Sequence, residues 1–265
     1  MKRAACVKCE ASSMWNPSIS MLLCLALALP AAGESLAPKP STGETAREVP
    51  LRDRAWSAYR PFYEYFARFQ AEQHKNYSHL RVTLRVVPAE AGVSLEGATV
   101  QLVSGSVDQT LKVDPMLGVE LPLLKRAYEE DGILRVNRAK GEVVFGTRHS
   151  IQVRPEGMYT PEWLKRACQQ MLAAKAALNL SHRLSAMGKS CKGVTFHFRA
   201  AGSQASVVFR DMTGRDRPLP TQPVKHFPGA TEYPVTIATY TFGDWPEQGQ
   251  LITRTPPVVI DFVIG

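Results

Sequence analysis

The feature that most constrains this chain is a two-residue alternation of apolar and polar side chains, in short runs separated by turn residues. Leu80, Val82, Leu84 and Val86 point one way and Arg81, Thr83 and Arg85 the other, which makes residues 80–88 a half-buried strand. The period recurs where Val194, Phe196 and Phe198 alternate with Thr195, His197 and Arg199, and again in Val258, Ile260, Phe262 and Ile264. Further strands are predicted near 98–104, 107–113, 117–123, 132–137, 142–146, 148–154, 205–210 and 235–242. Gly92, Gly105, Asp114-Pro115, Asp131-Gly132 and Lys140-Gly141 supply the turns. Residues 215–233 hold five prolines or glycines and read as a long loop. The expected fold is α+β and mainly β, with antiparallel sheets packed as in a sandwich.

Two helical segments complete the reading. Asp53 can cap a short helix from Arg54, and Pro61 then opens a turn whose apolar positions Phe62, Tyr65, Phe66 and Phe69 share one face up to about His74. Thr160-Pro161-Glu162 is a helix start, with Thr as cap and Pro at the first helical position. That helix runs to about Leu178. Each helix precedes a block of strands, which divides the chain into 51–157 and 158–265 and leaves two similar units open.

The N-terminal region looks like an export signal. Met21–Leu29 is an apolar run of nine residues, followed by Pro30 and Ala31-Ala32-Gly33. Nine residues fall far short of the roughly 18 needed to span a bilayer, so no transmembrane span is expected in the mature chain. A basic start, an apolar middle and a small-residue exit predict cleavage after Gly33. Residues 34–50 read as a flexible leader. Cys6, Cys9 and Cys24 lie in the predicted signal, so Cys168 and Cys191 are left to pair in an oxidising compartment. Pairing demands a break in the second helix. An unbroken helix from Cys168 to Met187 would cover about 28 Å at about 1.5 Å per residue. The last four residues recover only about 14 Å, and bridged cysteines need α-carbons within about 7 Å. The break is expected near Asn179.

The net charge is +8, and losing Lys2, Arg3, Lys8 and Glu10 with the signal leaves +6. A basic chain suits anionic partners. No dense Lys/Arg block with interleaved aromatics points to nucleic acid. Arg81 and Arg85 share the polar face of one strand, and His197 and Arg199 that of another. Together they are the candidate anion-binding residues.

The strand blocks contain a recurrent sequence: Asp114-Pro-Met-Leu-Gly118 before Leu121-Pro122, and Asp211-Met-Thr-Gly214 before Leu219-Pro220. With Val100-Gln-Leu-Val103, Leu111-Lys-Val-Asp114 and Leu134-Arg-Val-Asn-Arg-Ala-Lys-Gly141, the chain resembles exported proteobacterial proteins of unknown function over about 80–265. Over about 80–123 it is also similar to carboxypeptidase-regulatory-like and transthyretin-like β-sandwiches. These resemblances imply an exported, β-rich body and supply no catalytic residues.

Catalytic and metal motifs do not emerge from the pattern. His74, His79, His149, His182, His197 and His226 show no metal spacing, and no Gly-x-Ser-x-Gly elbow occurs. Gly188-Lys189-Ser190 lacks the upstream glycine of a phosphate loop. No cofactor is expected. The sequence therefore suggests a non-catalytic binding or assembly protein of the periplasm or exterior. Its partner would be another envelope protein or an anionic glycan or lipid. The alternative is a hydrolase of an envelope polymer whose residues meet only in the fold.

Overall fold

The computed structural model describes residues 49–90, 92–178, 188–199, 206–224 and 235–265. The predicted signal, nearly all of the leader and the expected break near Asn179 lie outside the described residues. The architecture is α+β and mainly β, built from antiparallel sheets with three helices.

The first half runs β1 (Arg54–Ala58), α1 (Arg60–Asn76), β2 (Leu80–Pro88), β3 (Val100–Val103), β4 (Asp108–Leu111), β5 (Gly118–Val119), α2 (Lys125–Glu129), β6 (Ile133–Ala139) and β7 (Val143–Ile151). The second runs β8 (Met158–Tyr159), α3 (Pro161–Leu178), β9 (Cys191–Arg199), β10 (Val207–Arg210), β11 (Asp216–Pro218), β12 (Thr221–Val224), β13 (Val235–Thr241), β14 (Gln250–Thr253) and β15 (Val259–Ile264).

Strand order shows a correspondence between the halves. One small sheet is ordered β1-β6-β3-β4 and the other β8-β14-β10-β11, so equivalent strands occupy equivalent places. The seven-stranded sheet is ordered β12-β13-β9-β15-β7-β2-β5. In it β2 is flanked by β7 and β5, and β9 by β15 and β13. The last strands of the halves, β7 and β15, stand side by side and antiparallel, registered at Ile151 and Ile260. The central sheet thus takes strands from both sides of residue 158.

One face of that sheet is apolar. Leu84 and Val86 pack with Val100, Leu102, Leu134 and Val136 of the first small sheet. Val194, Phe196 and Ile260 pack with Val207, Phe209 and Leu251 of the second. α1 and α3 lie on this face, where Phe69 of α1 and Met171 of α3 meet Leu80. Tyr59 and Tyr159, each just before its helix, are fully buried. Tyr59 Oη donates to the Pro122 carbonyl and accepts from Leu124 N–H, and Tyr159 Oη accepts from Arg154 N–H.

Several local expectations are corrected. The segment from Arg54 is strand β1, not a helix capped by Asp53. Ala55 points into the core while Trp56 pairs opposite Arg135, and that sheet pairing outweighs a local cap. The two strands predicted at 142–146 and 148–154 are one strand, β7, which pairs continuously with β2 through Gly146. The predicted loop at 215–233 contains β11 and β12. Cys168 and Cys191 are bridged, with α-carbons 6.0 Å apart, tying α3 to β9.

Candidate functional site

The second face of the central sheet carries the odd-numbered side chains of β2, β9 and β15 and the even-numbered ones of β7. Alternation predicts these to be solvated, yet Thr83, Arg148, Ser150 and His197 are all buried. The cause is curvature. Met116 lies two residues before the edge strand β5, but it packs on Val235 of β13 and Val259 of β15. The sheet therefore curls until its β5 edge overhangs its far strands, and the loop 112–118 closes over the concave side.

This loop is built by Asp114. Its Oδ1 accepts from Met116 N–H at 2.7 Å and Gly118 N–H at 2.9 Å. Asp114 N–H donates to the Gly118 carbonyl, and Leu117 N–H to that of Asp114. Leu117 sits at φ 61°, a left-handed conformation that normally favours glycine. Burial of its side chain in the first core offsets the strain. Gly118 is required by space, because a Cβ there would lie 2.5 Å from Asp114 Oδ2. The 211–215 turn repeats the same four bonds, with Gly214 at φ 80°. The two turns hold different places, however: one leads from β4 to β5, the other from β10 to β11.

Beneath the loop is an ionic group in which Arg148 and His197 are buried and Arg85 and Asp261 half-buried. Arg148 donates from Nη1 to the Met116 carbonyl at 3.1 Å. His197 Nε2 lies 3.4 Å from Asp261 Oδ2. Burial pushes the Asp261 carboxyl up, but His197, Arg148 and Arg85 outweigh it and hold the group below its ordinary range. Burial and the neighbouring Arg148 lower Arg85. The cations Arg85 and Arg148 come from the first half, and His197 and Asp261 from the second.

Outside the loop lies a cleft of about 470 Å³ between β4, β5, β2 and the end of β9. Arg81, Lys112 and Arg199 line it, together with Asp114 and Glu120, so three cationic side chains face two anionic ones. Arg81 is held by Glu120 Oε1 at 2.6 Å and is about 30% exposed. A guanidinium has five N–H donors, so this pairing orients Arg81 without exhausting it.

The four sequence-predicted anion-binding residues therefore divide. β2 and β9 are not neighbours, since β7 and β15 stand between them. Arg81 and Arg199 nevertheless line one cleft, whereas Arg85 and His197 belong to the ionic group beneath the loop. Lys112, Arg148 and Asp261 escaped the sequence reading. The turn at Asp114 was the only sign that Lys112 would stand beside Arg81.

Among the described residues no group of three or more His, Cys, Asp or Glu side chains could hold a metal ion. Ser78 Oγ lies 2.9 Å from His79 Nδ1, but neither lines the cleft, and Gln170 rather than a carboxylate bonds to this pair. No described helix is long and apolar enough to cross a membrane.

Comparison with known protein families, curated proteins and solved structures finds no match to this chain.

Proposed function

We propose that this is an exported envelope protein that binds the anionic group of a glycan or lipid, without catalysing a reaction, in the cleft beside the 112–118 loop. The observation that carries the reading is the convergence of Arg81, Lys112 and Arg199 on one concave site. A guanidinium fork recognises carboxylate, sulfate and phosphate groups by paired hydrogen bonds, and a lysine adds a movable point charge. The Cys168–Cys191 bridge suits an oxidising compartment, which favours export.

Retention on immobilised heparin, with lipopolysaccharide as the second probe, tests the reading. Arg81→Glu/Arg199→Glu is expected to elute at distinctly lower salt than the parent chain. Arg210→Glu/Arg215→Glu, at two exposed positions away from the cleft, is the charge-matched control. Equal elution of the cleft variant and the parent would overturn the proposal.

A further inference from the structure

The outer face of the β1-β6-β3-β4 sheet carries a second feature, independent of the cleft. Trp56 is 54% exposed and Leu51 60% exposed, although most large apolar side chains here are buried. Trp56 stands opposite Arg135 across the β1–β6 pair, and Ile133 shares that face two residues away. Leu51, Arg52, Trp56, Ile133 and Arg135 together line a shallow depression of about 240 Å³. The Arg52 side chain is 87% exposed and lies 3.6 Å from Asp53.

We infer that this patch docks the protein on the surface of an anionic lipid bilayer. Three apolar side chains are far fewer than the roughly 20–30 residues a side of a stable protein interface. They suffice for shallow insertion, because an indole ring is amphipathic and rests at head-group depth. The two guanidinium groups flanking Trp56 and Leu51 match the phosphodiesters of anionic lipids, and interfacial binding combines both contributions. The patch is small and basic-rimmed, and it shares no lining residue with the cleft. The protein would thus be held at a membrane surface while the cleft stays free.

The test uses the full chain and vesicles of phosphatidylglycerol or phosphatidylcholine with brominated acyl chains, which quench tryptophan on contact. The readout is the emission difference between the parent and Trp56→Phe, in which every other tryptophan and any contribution of the N-terminal region cancels. Brominated phosphatidylglycerol is expected to quench this difference at least about two-fold, an effect removed by about 0.5 M salt. Arg52→Glu/Arg135→Glu should abolish the quenching with an unchanged circular dichroism spectrum. No quenching, equal quenching by phosphatidylcholine, or full quenching in the arginine variant would each overturn the inference. So would a concentration-dependent dimer lost in Trp56→Ser without vesicle contact.

Discussion

The two halves share a strand order but differ at one edge. In the second half β9 is extended outward by β13 and then β12, whereas in the first half β2 meets only the two-residue β5. The short edge frees the 112–118 loop to fold over the concave face, and the candidate cleft lies against that loop. The halves also carry different charges there. Arg148 of β7 stands opposite Thr83 of β2, while in β15 Asp261 stands opposite Thr195 of β9. The common scaffold supplies rigidity, and the departure from it supplies the site.

The largest effects should come from the shared core. Leu84→Ala and Phe196→Ala each remove a fully buried side chain, one from each half, and should cost about 2–5 and about 3–5 kcal/mol respectively. Met171 and Ala174 of the second half pack on Phe69 and Leu80 of the first. Each variant should therefore unfold in one transition, and calorimetry showing two would separate the halves. Next comes the second half's covalent tie. Cys168→Ala/Cys191→Ala opens a bridge between residues 23 apart and should lower stability by about 3 kcal/mol, measured by denaturant titration.

A pH-dependent effect of similar size is expected in the first half. Burial against α1, with Lys175 nearby, pushes the His149 imidazole down from its ordinary 6.5 to about 4. Its Nε2 lies 2.8 Å from Tyr65 Oη, and its ring packs on Phe69. The unfolded chain therefore binds the proton more readily than the fold does. The stabilising contribution is complete above about pH 6.5 and is lost as pH falls toward 4. The expected loss is up to about 3 kcal/mol, and His149→Gln should flatten the profile of stability against pH between those values.

The smallest effect separates the two matched turns. Asp114→Asn keeps an acceptor for both backbone N–H groups and removes one negative charge from the cleft. Heparin affinity should rise about two-fold, as expected for one screened surface charge of about 0.5 kcal/mol. Asp211→Asn makes the same change in a turn that does not line the cleft and should leave affinity unaltered.

Legibility in the sequence follows how local each cause is. β2, β9, β13 and β15 alternate over six or more residues, and their side chains announce them. The helix faces and the cysteine pair were legible for the same reason. β8 and β14 have two and four residues, and each is held by a neighbour distant in sequence, as in the Tyr159–Leu251 pair; β11 has three residues beside prolines that read as loop. The repeated Asp-to-Leu-Pro sequence marks a shared turn geometry rather than equivalent positions; the correspondence between halves emerges only from strand pairing. Arg85 and His197 alternate as solvated residues do, but the curl of the sheet encloses them. No local pattern encodes that curl.

Amide chemical-shift mapping during titration with a heparin oligosaccharide tests the link between the short edge and the site most directly. Shifts are expected to cluster at Arg81, Lys112, Gly118 and Arg199, and to spare the 211–215 turn. Shifts centred on that second turn, or spread evenly over the basic surface, would contradict the account.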